Sequence, residues 1–173
     1  MIYVLAVPQF EPNVAVKIDR FRSVYEPERA KLVPPHVTLV FGLRDVRPQD
    51  LLAHCEAMAR PLPQLAVDFT VSEVVYDPFE DVHKLCLLSA GGAQALTHLH
   101  HQLYDGPHRS QFNADISYRP HMTVATHKDR ATVERLDVAE LGVFPISGTI
   151  KAIEVFELVE NALRSLGSIP LGA

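Results

Sequence analysis

The chain has 173 residues, 47% of them apolar and 21% charged, with a formal net charge of −5 and a pI near 6.0. That length suits a single domain, which buries roughly two thirds of its unfolded surface and needs neither a disulfide nor a metal to hold it. The acidic balance argues against a protein that grips a long nucleic acid, which carries a basic footprint, and two Cys argue against a disulfide scaffold and suit a reducing cytoplasm.

Ile2 to Val7 is an apolar run ending at Pro8, read as an opening strand. It has no positive leader, and no apolar stretch approaches the ~20 residues a membrane helix requires. Glu11 to Leu32 carries Val14, Ile18, Phe21 and Tyr25 at helical spacing, with Asn13 as N-cap and Pro27 as a stop or kink. Pro34-Pro35 forces an extended entry into a strand over His36 to Leu43. Pro48 to Arg60 predicts a second helix. Leu65 to Val75 and His83 to Ala90 predict two strands turning at Asp77-Pro78. Ala93 to Tyr104 predicts a third helix, followed by a polar loop over Asp105 to Asp115. Tyr118 to Thr126 reads as a strand and Asp129 to Leu136 as a short helix. Thr149 to Leu158 and Ser165 to Leu171 close the chain as a hairpin with Asn161 near its turn. The fold class is α+β: two similar lobes in one domain spanning the chain, each an antiparallel or mixed sheet with helices outside and a cleft between them.

One motif occurs twice. Pro35-His36-Val37-Thr38-Leu39-Val40 matches Pro120-His121-Met122-Thr123-Val124-Ala125 as P-H-x-T followed by two apolar residues. At this chain's composition one such match is expected about 0.03 times by chance. Pro107-His108-Arg109-Ser110 is a near match that fails at Gln111 and sits in the loop. With the two-residue period of a strand, His36 and Thr38 share one face while Val37, Leu39 and Phe41 share the other. His121 and Thr123 likewise share a face, with Met122 and Val124 toward the core. Each strand presents an imidazole, able to give or take a proton near neutrality, beside a hydroxyl able to donate to a phosphate oxygen. Two such strands face to face provide the base and the acid that phosphodiester cleavage needs, with no metal required. The competing reading is that each His only caps a strand start.

The paired motifs, 85 positions apart, resemble those of the two-histidine (2H) phosphoesterases, which include the 2′-5′ RNA ligase-like proteins and cyclic nucleotide phosphodiesterases. The stretch Arg22-Ser23-Val24-Tyr25-Glu26-Pro27 before the first motif is most similar to the YjcG-like branch. The resemblance implies a pseudo-twofold, bilobal fold and metal-independent, cofactor-free chemistry on 2′,3′-cyclic phosphates or 2′-5′ linkages. It implies that His36 and His121 are catalytic and that Thr38 and Thr123 bind phosphate. The expected substrate is a small nucleotide or an RNA terminus, and the expected protein a cytoplasmic monomer with no membrane association. His121 is favoured as base and His36 as acid. The alternative is a non-catalytic module that binds nucleotide or RNA ends in the same cleft.

Further candidates flank the motifs. Arg119 is two residues before His121 and can clamp a phosphate if the strand holds through Pro120. Tyr118 is a core residue or a base-stacking platform. Lys84, beside His83, offers a cation at the cleft. Arg22 and Tyr25 lie one turn apart on the first helix. His98, His100 and His101 cluster on the third helix, where His98 and His101 could share a metal but lack a completing ligand. His54 and Cys55 read as helix packing, and Gly91-Gly92 lacks the Lys-Ser/Thr of a phosphate loop.

Overall fold

The computed structural model describes residues 1–160 and 162–172. In chain order it forms strand β1 (Ile2–Phe10), helices α1 (Pro12–Tyr25) and α2 (Pro27–Leu32), β2 (Val37–Leu43), α3 (Pro48–Ala59), β3 (Leu65–Asp77) and β4 (Val82–Gly91). Then follow α4 (Ala93–Tyr104), β5 (His121–His127), α5 (Arg130–Glu134), β6 (Ile146–Val159) and β7 (Ala162–Pro170). The seven strands lie in the order β1-β2-β5-β4-β3-β6-β7, and β6 also pairs with β1, so the first six close into a ring. All pairings among the described residues are antiparallel.

Two lobes share this ring. One is β2-β1-β6-β7 and the other β5-β4-β3. The long β6 joins them on one side, pairing with β3 through Ile146–Ile150 and with β7 through Ala152–Val159. On the other side β2 and β5 touch at the single pair Val37↔Met122. The ring is open there, and that opening holds both motifs.

The internal repeat extends to the strand register. Val4 pairs with Val40 and Leu5 with Thr38, skipping one residue of β2. Leu85 pairs with Ala125 and Cys86 with Thr123, skipping one residue of β5. Each motif is thus followed by a bulge, which turns two successive side chains the same way. This is why both apolar residues after each Thr are buried: Leu39 and Val40 at 0%, Val124 at 0% and Ala125 at 1% exposure. The bulge also corrects the simple alternation expected for the first strand. Phe41 is shifted off the core face and is half exposed.

The helices cross between lobes. α1, which follows β1, packs along β5, while α4, which follows β4, packs along β2. Their apolar stripes, including Ile18 and Phe21 on α1 and Leu96, Leu99 and Leu103 on α4, join the common core. α4 begins at Gly92, whose φ of 79° and close approach to the Ala66 carbonyl (2.4 Å from an added Cβ) demand glycine.

Several boundaries differ from the sequence reading. β1 runs through Pro8 to Phe10, because the missing N–H falls at a register shift beyond the last β2 partner. The residue before α1 is Glu11, with Pro12 as its first turn, so Asn13 is inside the helix and not its cap. Pro27 separates α1 from α2. The loop after α4 contains a 3-10 turn, Gly106–Gln111. Asn161, placed near the last turn, lies outside the described residues.

Candidate active site

His36 immediately precedes β2 and His121 opens β5. The Val37↔Met122 pair fixes the antiparallel register between them. One step to either side sets His36 across from Thr123, and Thr38 across from His121. Val37 and Met122 point into the core, at 1% and 0% exposure, so the four motif side chains share the opposite face. Each histidine is half-buried, and each Thr too.

The two imidazoles are anchored alike. His36 Nδ1 lies 2.8 Å from the Pro34 carbonyl, and His121 Nδ1 lies 2.7 Å from the Arg119 carbonyl. A carbonyl only accepts, so Nδ1–H donates in both rings, and in the neutral ring Nε2 is left as an acceptor. Burial lowers both pKa values. His36 is brought down to about 4, first by burial and then by the charges of Arg22 and Arg29, against the opposing effect of its Pro34 bond. His121 is also lowered by burial; the Arg119 carbonyl opposes this, Lys84 and Arg119 add to it, and Asp77 counters. His36 is therefore the ring held more firmly neutral.

Beneath the threonines lie matching rows. Leu5 sits beside Thr38 and is paired in turn with Glu154, while Cys86 sits beside Thr123 and is paired with Glu73. The Cys86 Sγ is 3.9 Å from Thr123 Oγ1, and burial pushes its thiol up to about 11, so it is a neutral floor and not a nucleophile.

A family profile described as the 2'-5' RNA ligase superfamily matches residues 10–162. The chain belongs to that superfamily. No curated protein matches its sequence. Among solved structures it is similar to TT0787 of Thermus thermophilus at 20% identity and TM-score 0.65, covering 98% of this chain and 97% of that one. It is similar to E. coli LigT complexed with 3'-AMP at 15% identity and TM-score 0.58, covering 99% and 98%. It is also similar to Usb1 of Kluyveromyces marxianus at 10% identity and TM-score 0.57, covering 98% and 97%. At these identities the likeness concerns the fold, and the bilobal α+β architecture is common to all three.

In this superfamily member the flanking candidates take different places. Tyr118 is not a free platform. Its ring stacks on His100 at 3.8 Å and 7°, and its hydroxyl donates to the Thr38 carbonyl at 2.9 Å. Together with His100 Nδ1 on the Leu39 carbonyl (2.6 Å) and the Phe41 N–H on the Tyr104 hydroxyl (2.9 Å), it satisfies the edge of β2 that β5 leaves unpaired. The strand does not extend back through Pro120, so Arg119 lies outside β5. It is exposed and paired with Glu73 at 2.5 Å. Lys84 is registered opposite Thr126, four positions along β4 from the partner of His121, and is held by Asp77 (2.5 Å) and Glu80 (2.8 Å).

The first helix contributes more than its ordinary amphipathic pattern foretells. Arg22 and Glu26 form a buried ion pair, at 2% and 5% exposure. Arg22 also donates to the Val33 carbonyl (3.1 Å), and Glu26 accepts from Thr126 (3.3 Å) and meets Arg29. The pair thus ties the segment three residues before His36 to the residue three after Thr123. Its signal in the sequence is an i,i+4 Arg–Glu couple at the helix end.

Among the described residues no group of three or more His, Cys, Asp and Glu is arranged around a common metal position. His98 and His101 are exposed. His108 of the near-match motif is buried against His54, its ring 5.3 Å away, and takes no part in the cleft. No helix among the described residues is long and apolar enough to cross a membrane.

Proposed function

We propose that this chain is a phosphodiesterase that opens 2′,3′-cyclic phosphates, or cleaves 2′-5′ linkages, at a nucleotide or RNA terminus by two-histidine acid–base catalysis. The observation that carries the reading is the crossed register, which sets each imidazole opposite the other strand's Thr with both Nδ1 atoms engaged by backbone. A phosphate between the strands meets a hydroxyl and an Nε2 from each side. His36, the more firmly neutral ring, accepts a proton at Nε2 from the attacking water as its oxygen bonds to phosphorus. His121, protonated at Nε2 in the presence of the anion, gives its proton to the sugar oxygen as the P–O bond breaks. Thr38 and Thr123 donate to the non-bridging oxygens, where charge builds in the transition state. This assignment reverses the preference drawn from the sequence.

The surrounding cations suit an anion, and each already has a carboxylate partner: Arg22 with Glu26, Arg29 with Glu80, Lys84 with Asp77 and Glu80, Arg119 with Glu73. An RNA strand along the whole surface is disfavoured by this balance, whereas one phosphate in a local cleft is not. The LigT structure with 3'-AMP supports a nucleotide ligand by analogy of fold. The test is a product-resolved assay with 2′,3′-cyclic nucleotides and 2′-5′ dinucleotides in EDTA. A nucleoside monophosphate product that needs both histidines supports the reading; binding without turnover over hours makes the chain a binding module.

A further inference from the structure

Six charged side chains form one series along the side of the cleft. Arg22 pairs with Glu26, Glu26 with Arg29, Arg29 with Glu80, Glu80 with Lys84 and Lys84 with Asp77. The signs alternate, so cations and carboxylates balance and the series is neutral as a whole. Its inner end is buried at Arg22 and Glu26, and its outer end is the exposed β3–β4 turn that carries Glu80. Glu80 links the two sides of the site. One of its carboxylate oxygens meets Arg29, on the helix that leads into His36, and the other lies 2.8 Å from Lys84 Nζ. Lys84 is two residues from Cys86, on the face that floors Thr123. The charge of Arg29 is felt at His36 and that of Lys84 at His121. The turn holds Glu80 ready, since Asp77 Oδ1 accepts from the N–H groups of Phe79 (2.8 Å) and Glu80 (3.3 Å). Phe79 itself is 86% exposed, so the turn is tied to the body by its charges and not by apolar seating of that ring.

A phosphodiester carries one negative charge near neutral pH, and a phosphomonoester nearly two, because its second pKa is about 6. Hydrolysis therefore adds charge to the bound group: the oxygen of water bonds to phosphorus, the sugar oxygen leaves with a proton, and the new monoester ionises. A cleft wall with free cations holds that product more tightly than the substrate, whereas a wall whose cations are already matched does not. We propose that Glu80 is a specificity-determining residue, which sets the cleft for the singly charged diester and against the doubly charged monoester by occupying both Arg29 and Lys84. Removing its charge leaves Arg29 with Glu26, which it shares with Arg22, and leaves Lys84 with Asp77. The wall then carries one surplus positive charge near the phosphate, and each ligand gains in proportion to its own charge. The inference rests on the phosphodiesterase reading for the identity of substrate and product, but not for the charge preference itself.

The test sets Glu80→Gln beside wild type and beside Glu56→Gln, which removes the same charge from an exposed position on α3, the helix against β7. The KM for adenosine 2′,3′-cyclic phosphate and the inhibition constant of the monophosphate formed from it are measured in each. In Glu80→Gln the KM is expected to fall about threefold and the inhibition constant about tenfold, because twice the ligand charge doubles the free-energy gain. Glu56→Gln is expected to leave both unchanged. Tighter binding is a result that a merely loosened turn does not produce. Equal factors for the two ligands, no change, weaker binding, or the same change in Glu56→Gln overturns the proposal. If wild type turns over no cyclic nucleotide, the phosphodiesterase reading fails, and the Kd values of adenosine 2′,3′-cyclic phosphate and adenosine 2′-monophosphate are then compared by titration. A preference for the monophosphate raised about threefold in Glu80→Gln supports the charge role of Glu80, and an unchanged ratio overturns it.

Discussion

His36 and His121 each turn Nδ1 to the carbonyl two residues upstream in the chain, at 2.8 and 2.7 Å. The shared anchor fixes the same tautomer in both rings and leaves both Nε2 atoms as acceptors, as the proposed mechanism requires. His36→Ala and His121→Ala are each expected to lower kcat by about 10²–10⁴. The double variant should fall little further, because acid and base act in one step. Steady-state rates on a cyclic nucleotide measure this, and near-normal turnover in either single variant contradicts the mechanism.

The pH profile follows from the two shifts. Base function needs His36 neutral, so the acid limb of kcat/KM lies near its value of about 4. Acid function needs His121 protonated, and its pKa is lowered from 6.5, so the alkaline limb lies below that value. The expected profile is a bell with its maximum on the acid side of 6.5. A plateau extending to about pH 9 would overturn the acid role of His121.

The same shift enters stability. His36 has a folded pKa of about 4 against 6.5 unfolded, so between these values the unfolded chain holds more protons. Its contribution is complete above pH 6.5 and is lost as pH falls through about 4. Thermal unfolding of His36→Gln, set beside wild type across about pH 4–7, should show a flatter acid-side decline.

Glu26 is the strained point of the buried pair: burial raises its pKa, while the Arg22 bond and charge oppose that. Removing it leaves Arg22 buried and uncompensated. Glu26→Ala should cost about 3–5 kcal/mol by chemical denaturation. Glu26→Gln, which keeps a partner for Thr126, should cost less.

Tyr118→Phe keeps the stack on His100 and deletes only the bond to the Thr38 carbonyl. A loss of about 1 kcal/mol is expected. A reduced kcat with little change in KM would mark Tyr118 as a positioning residue for Thr38.

The shared face of the two motifs' side chains is legible because its signal is local. A proline fixes the entry, a two-residue period sets His and Thr together, and repetition shows that a second copy exists. Phe41 escapes that logic, since a bulge is a property of the pairing with β1 and not of the β2 sequence alone. Yet the two consecutive apolar residues after each Thr are its written trace. Arg119 and Tyr118 are misplaced by any reading that carries the strand back through Pro120. The Arg22–Glu26 pair is hidden for another reason: its partners, Val33 and Thr126, come together only when α1 crosses to the other lobe.

That crossing of α1 and α4 makes the two halves of the chain mutually completing. Each half sends its helix to back the other's motif strand, so neither contains a finished copy of anything. Damage is therefore expected to surface on the far side: loosening α1 disturbs the footing of His121, and loosening α4 disturbs that of His36. A half expressed alone would be an open clasp, regaining its shape only when the complementary fragment is supplied.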